Sequence, residues 1–237
     1  MLDYVGTVLI TAVMVVAINA VVSSLPVTRP RRIAAALVVG LWVGLAAASA
    51  NVGLFAGPVP YIGFFVFLPL VAVAALATFS PAWRAALIGL PTPLLIGLNA
   101  TRVVGVLFLL LAATGRLSGP FPLSAGWGDI ATGVLAVPAL WLALRPSPNC
   151  ALLAAWNTIG TLDLIGAVAL GVMSAQGSPA QIFDVGAGSM AMQALPWAFV
   201  PSVLVPFYLI VHGILFVQLW QAARAGGGSH RFAASAA

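Results

Sequence analysis

The segment from Pro91 to Gly115, PTPLLIGLNATRVVGVLFLLLAATG, contains one charged residue, Arg102. A helix needs about 20 predominantly apolar residues to cross the hydrocarbon core of a bilayer, and this segment has that length. Arg102 lies about twelve residues into it, which at about 1.5 Å per residue is roughly 18 Å from its start. The segment therefore predicts a transmembrane helix that carries an ionisable side chain near the middle of the bilayer.

The rest of the chain has the same character. It is 62% hydrophobic and 5% charged, whereas soluble domains carry roughly 25% charged residues. Six further apolar stretches, separated by proline- and glycine-rich breaks, span residues 4–25, 33–50, 61–80, 126–144, 151–175 and 197–222. We therefore expect an all-α, polytopic membrane protein, a bundle of seven transmembrane helices located in the cell membrane. Residues 1–225 are expected to form one domain, and residues 226–237 a flexible cytoplasmic tail.

The first apolar stretch is interpreted as a retained helix rather than a signal peptide. No basic residue precedes it, Asp3 stands at its start, and its apolar run is longer than the 7–15 residues of a signal-peptide core.

The arginines predict the orientation of this bundle. All nine basic residues are arginine. Seven of them fall in alternate connections or after the last span, at positions 29, 31, 32, 84, 145, 224 and 231. Arg116 falls in a connection on the opposite side. Because cytoplasmic loops carry an excess of Arg and Lys, the N-terminus is predicted to be outside and the C-terminus cytoplasmic.

Three ionisable residues of different spans fall at a similar depth. Asp163 lies about twelve residues into its span and His212 about fifteen residues into the antiparallel last span, close to the level of Arg102. An Arg or Asp at the centre of a spanning helix costs about 2.5–3.5 kcal/mol on insertion scales. We therefore predict that Arg102 and Asp163 pair inside the bundle, directly or through water. The alternative to a functional site is a buried ion pair that only fixes helix register.

Other polar residues extend this candidate site. Its full membership is Arg102, Asp163, His212, Asn99, Asn157, Trp156, Tyr208 and Asp129. Asn99 precedes Arg102 by three residues and Tyr208 precedes His212 by four, so each shares a helix face with its partner. Gly160 is expected to let a neighbouring helix approach this level closely.

Asp129 stands near the predicted start of its span. There a carboxylate caps free backbone N–H groups and complements the helix dipole, so a capping role nearer the outer surface is expected. The alternative is a role at the mouth of a cavity, with residues 121–126 partly re-entering the membrane.

Two regions leave their structure open. The connection from Gln176 to Pro196 is either a short helix lying on the membrane surface or an ordinary loop. Prolines inside the apolar spans, at positions 69, 138, 201 and 206, are expected to kink helices. Such breaks either line cavities or reflect only the higher frequency of proline in membrane helices. Four tryptophans near span ends, at positions 83, 127, 197 and 220, are typical of an interfacial belt.

The composition excludes several classes of site. The chain has no lysine, which excludes a retinal Schiff base, and its single cysteine, Cys150, excludes an internal disulfide. With His212 the one histidine in a predicted span and His230 in the tail, no metal site is predicted. No basic stripe with interleaved aromatic residues indicates nucleic-acid binding. The cofactor, if any, is left open.

Three functions fit a mid-membrane Arg, Asp and His. The first is a small-solute or proton-linked transporter, in which Asp163 and His212 exchange protons. The second is an intramembrane enzyme that acts on a lipid or isoprenoid, with Asp163 or Asp129 as general acid or base. The third is a non-catalytic subunit or cofactor scaffold of a membrane complex. The expected partners are membrane lipids, a small-molecule or lipid substrate, and a membrane-protein partner or second copy. An elongated apolar pocket open to lipid would favour the enzyme.

Overall fold

The computed structural model describes residues 1–56 and 60–234, with the backbone alone for residue 60 and residues 226–234. All regular structure in this part of the chain is helical. The α-helices are α1 (Leu2–Ser24), α2 (Arg29–Asn51), α3 (Pro60–Phe79), α4 (Pro81–Ile88), α5 (Thr92–Leu98), α6 (Val106–Ala113), α7 (Pro120–Ala143), α8 (Cys150–Met173) and α9 (Val205–Ala234).

Seven helical stretches of the described chain are long and apolar enough to cross a membrane. Five of them are the long helices α1, α2, α3, α7 and α8. The other two, Thr92–Ala113 and Val200–Ala225, each contain an irregular helical turn. The prediction of seven apolar spans is therefore confirmed. The flexible tail stays a prediction: α9 is helical to Ala234, and residues 235–237 and the side chains after Ala225 lie outside the described part.

Proline and capping residues set where these helices begin. Ser80 accepts a hydrogen bond from the Trp83 N–H at the start of α4, and Asn149 accepts one from the Leu152 N–H at the start of α8. Pro120 occupies the first position of α7, where the missing N–H costs nothing. Helix α7 therefore starts six residues before the 126–144 span that hydropathy predicts.

The span that carries Arg102 is broken in its middle. Between α5 and α6 the chain forms a 3₁₀ segment, Asn99–Gly105. Two polar side chains bond to backbone carbonyls there: the Asn99 side-chain amide donates to the Leu95 carbonyl at 3.0 Å and the Thr101 hydroxyl to the Leu98 carbonyl at 2.7 Å. Such local bonds compete with regular helix, and a 3₁₀ stretch inside a helix often marks a functional hinge.

Helix α7 packs closely against this 3₁₀ segment and against α6 because two of its glycines face them. A Cβ atom at Gly133 would lie 2.8 Å from the Val103 backbone nitrogen, and one at Gly126 would lie 2.7 Å from a Leu109 methyl. Both distances are shorter than real Cβ contacts allow. The small residues thus let neighbouring backbones approach, which is also how membrane helices pack closely.

The apolar core consists of two clusters with a polar layer between them. One cluster contains Ile10, Leu111, Phe121 and Trp197 toward the end of the bundle where α1 begins. The other contains Leu25, Leu90, Leu153 and Leu219 toward the opposite end. Along the span Thr92–Ala113 and along α7 and α8, the buried polar residues fall between the members of these two clusters, and on α9 the buried His212 follows Val211 of the second cluster.

At the end where α1 begins, the structure differs from the expected tryptophan belt. Trp127 and Trp220 are exposed, as an interfacial belt requires, but Trp197 is 1% exposed. Its ring lies against Gly6, and its indole Nε1 donates to Asp3 Oδ1 at 2.7 Å, an oxygen that also accepts from Arg116 Nη1 at 2.7 Å. Trp197 is therefore a packing residue that joins α1 to the start of the last span.

The connection from Gln176 to Pro196 is an irregular loop, so the surface-helix alternative is wrong. It contains one 3₁₀ turn, Met190–Gln193, and Met192 is buried. The Ser118 hydroxyl accepts from the Gly188 N–H at 2.7 Å, and Ser189 Oγ donates to the Gly171 carbonyl at 2.7 Å. These bonds hold the loop over the ends of α7 and α8.

Candidate functional site

Arg102 is the centre of the polar layer and is 2% exposed. Its Nε donates to Asp129 Oδ1 at 2.7 Å and its Nη2 to Asp163 Oδ2 at 2.5 Å. Its Nη1 lies 3.2 Å from the Gly160 carbonyl oxygen and 3.1 Å from His212 Nε2. Four of the five guanidinium N–H groups thus have acceptors, on three different helices.

The predicted pairing of Arg102 with Asp163 is confirmed, and Asp129 joins it. The expectation that Asp129 caps a helix near the outer surface is wrong. Because α7 begins at Pro120, Asp129 lies in its third turn, where backbone N–H groups are already bonded and a carboxylate must find another partner. The residues 121–126 belong to the same continuous helix rather than to a re-entrant segment.

The two carboxylates outnumber the guanidinium. Each uses one oxygen to bind Arg102 and leaves the other without a hydrogen-bond partner in the described part of the chain. The two carboxylates are partly accessible, since 18% of the Asp129 side chain and 11% of the Asp163 side chain are exposed. With all three groups ionised, the cluster carries one net negative charge between two apolar layers, where uncompensated charge is expensive.

His212 has a defined role in this network. An arginine N–H can only donate, so His212 Nε2 accepts from Arg102 and the ring proton lies on Nδ1. Nδ1 is 2.7 Å from Asn157 Oδ1, and Asn157 Nδ2 donates back to the His212 carbonyl at 3.1 Å. The predicted proton exchange with Asp163 has no direct contact to support it. His212 orients the arginine instead, and Asn157 orients His212.

The remaining predicted residues surround this centre without contacting it by hydrogen bonds. The Tyr208 hydroxyl bonds to Thr101 Oγ1, and its ring centroid lies 5.8 Å from the Arg102 guanidinium carbon. Trp156 Nε1 donates to the Thr132 carbonyl at 3.3 Å, and its ring lies 6.0 Å from that of His212. Asn99 is fully buried, and its Oδ1 has no partner in the described chain.

Glycines make the close approach of these groups possible. A Cβ at Gly160 would lie 2.8 Å from both His212 Cε1 and Thr132 Cγ2. A Cβ at Gly128 would collide with the Asp163 carboxylate, and one at Gly105 with Asp129. Sequence reasoning found Gly160 but missed Gly105 and Gly128. Glycines at these positions carry no charge or periodicity that marks them, and their role depends on which side chain lies opposite.

A cavity of about 120 Å³ adjoins the ion cluster. Its walls are largely apolar. They include Ile62, Val66 and Phe67 on α3 and Leu164, Ala167 and Val168 on α8, together with residues of α6, α7 and the loop from Gln176 to Pro196. Among the described residues that line it, Asp129 is the charged one. A smaller cavity of about 40 Å³ shares Asp129 and Phe108 with it and reaches Arg102 and Tyr208.

One predicted proline also lines this cavity. Pro201 lies in a π-helical turn, Val200–Leu204, that precedes α9 and forms part of the cavity wall. π-helical turns occur frequently at functional sites. The cavity interpretation is thus confirmed for Pro201, whereas Pro69, Pro138 and Pro206 lie inside α3, α7 and α9 and are absent from the described lining.

Comparison with known proteins gives one relationship. No curated protein and no solved structure matches this chain. Residues 59–220 match the model of a family described as Domain of unknown function (DUF8737). The matched segment covers more than half of the chain and includes Arg102, Asp129, Asp163 and His212, while α1 and α2 precede it. The chain therefore belongs to the family described as Domain of unknown function (DUF8737).

Proposed function

We propose that this chain is a polytopic membrane protein with its N-terminus outside and its C-terminus in the cytoplasm. Seven apolar helices support the membrane location. The contact of Arg116 with Asp3 supports the assignment of both to one end of the bundle. Leu25, Trp83 and Cys150 pack with one apolar cluster at the other end, beside the connections that hold most of the arginines. The positive-inside rule then assigns the arginine-rich end to the cytoplasm.

Within this bundle, we propose a proton-linked transporter of a small solute. The observation that supports this proposal is that Asp129 and Asp163 share one guanidinium and keep one accessible oxygen each, and that Asp129 also lines a cavity. A membrane-buried cluster with one excess negative charge is stabilised when a proton or a bound solute neutralises it. A protein that accepts either one at the same carboxylates can exchange them across the membrane.

The other polar residues have supporting roles in this proposal. Arg102 holds both carboxylates at one level, His212 orients Arg102, and Asn157 orients His212. The 3₁₀ segment that carries Arg102 and the π-helical turn before α9 supply two irregular helices on either side of the smaller cavity. Broken helices of this kind surround the central binding sites of many secondary transporters.

The proposal is tested by proton movement in proteoliposomes. Vesicles loaded with the pH dye pyranine and held at a pH gradient are challenged with a panel of membrane-impermeant small solutes of positive, negative and zero charge. We expect at least one solute to drive proton movement in the wild type, and Asp129→Asn and Asp163→Asn to abolish it. Asp184→Asn is the matched control, because it neutralises an exposed carboxylate in the loop from Gln176 to Pro196, and it should behave as the wild type. If no solute moves protons, or both site variants retain the flux, the transporter proposal is wrong.

The apolar cavity favours one second candidate, an intramembrane enzyme. The apolar cavity is lined by one carboxylate, Asp129, beside which a lipid or isoprenoid chain would place its reactive polar group. Asp129 would then be the general acid or base. Mass spectrometry of lipids incubated with wild type and Asp129→Asn distinguishes the candidates. A product made by the wild type alone would favour the enzyme, and an unchanged lipid profile would exclude lipid chemistry at Asp129.

A further inference from the structure

We propose that the solute bound at this site is a small organic cation with one apolar group the size of a single ring. Its ammonium would lie against Asp129 and its apolar group would fill the cavity between α3 and α8. This inference rests on the proposed function and names the substrate class of the same site.

The charge balance around the cavity selects a cation. Asp129 and Asp163 face one guanidinium, so the cluster has one negative charge in excess when all three groups are ionised. Arg102 has four of its five N–H groups bonded to protein acceptors, which leaves little capacity to bind an added anion. A carboxylate or phosphate ligand would also meet the free oxygen of Asp129 and be repelled by it. A cation neutralises the excess charge.

The size and chemistry of the cavity select the apolar group. Its volume is about 120 Å³, and an apolar cavity of about 150 Å³ in another protein is known to bind benzene. Phe55, Phe67, Phe108 and Phe121 contribute to the lining. Aromatic faces attract ammonium groups as well as apolar rings. An inorganic cation would leave these apolar walls unfilled, whereas a benzylammonium-sized ion uses both features.

Three probes of nearly equal shape separate charge from size. We would titrate the full-length protein in lipid nanodiscs with 4-fluorobenzylammonium, 4-fluorobenzyl alcohol or 4-fluorobenzoate and follow binding by ¹⁹F NMR. Protein-free nanodiscs correct for partitioning into lipid. We expect the ammonium ion to bind at least about tenfold more tightly than the alcohol, a factor that corresponds to about 1.4 kcal/mol. The benzoate should show no saturable binding.

Variants assign this preference to the site. Asp129→Asn should reduce the preference for the ammonium over the alcohol to below about threefold while alcohol binding persists, which also shows that the variant is folded. Val168→Phe fills the cavity and should weaken both probes at least about fivefold. Asp184→Asn should match the wild type. Equal binding of benzoate and ammonium, or an undiminished preference in Asp129→Asn, would overturn the inference.

The two proposals fail in different ways. Selective ammonium binding without solute-driven proton movement would refute the transporter proposal but support the proposal that the ligand is an organic cation. Proton movement driven by an anionic or neutral solute, with no ammonium selectivity in the nanodiscs, would refute the proposal of a cationic ligand but support the transporter proposal.

Discussion

Replacing Arg102 with methionine tests whether the ion cluster organises the bundle. Methionine keeps an apolar stem but removes the group that binds Asp129, Asp163, His212 and the Gly160 carbonyl. Removing one partner of a buried ion pair typically costs about 3–5 kcal/mol, because the remaining charge is buried without compensation. Here two carboxylates remain, so we expect a loss in the upper part of that range.

The assay is equilibrium unfolding in mixed micelles, followed by circular dichroism. Arg116→Met is the matched control. It breaks an ion pair with Asp3, whose side chain is 58% exposed, and exposed pairs contribute about 0–1 kcal/mol. A triple variant that combines Arg102→Met with Asp129→Asn and Asp163→Asn removes all three charges together. We expect it to be at least about 1 kcal/mol more stable than Arg102→Met alone. If Arg102→Met is no more costly than Arg116→Met, or the triple variant recovers nothing, the cluster does not organise the bundle.

Three further predictions concern the packing and orientation. Gly160→Ala should destabilise the protein by about 1–3 kcal/mol through overpacking against His212. Gly166→Ala, with nothing within 4 Å of its Cβ, should instead be neutral or stabilise α8 by up to about 1 kcal/mol. Equal unfolding midpoints for both variants would contradict the close packing at this level. Asn157→Leu removes the acceptor for His212 Nδ1 and should cost about 1–3 kcal/mol, and wild-type stability would show that this hydrogen bond contributes little. Cys150, the one cysteine of the chain, should react with a membrane-impermeant maleimide in inside-out vesicles but not in intact cells, and the reverse pattern would invert the proposed orientation.

The predicted pairing shows what depth alone can establish. Arg102 and Asp163 could be matched from sequence because each counts about twelve residues into a span that runs in the same direction. The cost of leaving either charge alone in an apolar layer then requires a partner. His212 was placed at the right level for the same reason. Its hydrogen-bond partners, Arg102 and Asn157, could not be read from depth, because they depend on how each helix is rotated.

The error at Asp129 has a related cause. Hydropathy placed the start of its span at residue 126, because the segment from Phe121 to Gly126 contains proline, serine and glycine. In the folded chain Pro120 begins the helix instead, which moves Asp129 from a cap to an interior position. The glycines at positions 105 and 128 then let Asp129 and Asp163 reach one guanidinium. A hydropathy pattern along the sequence shows neither that α7 starts at Pro120 nor which helix packs against it.

By itself, the sequence determined that the chain folds into seven apolar helices and that its buried arginine needs a carboxylate at the same level. Both follow from the free energy of placing apolar and charged groups in hydrocarbon, which depends on composition and length. Only the tertiary structure decided that two carboxylates share Arg102 and that Asp129 lines a cavity with residues of α3 and α8. Those features depend on helix rotation and on the close approach that individual glycines permit, and both arise only when the helices pack together.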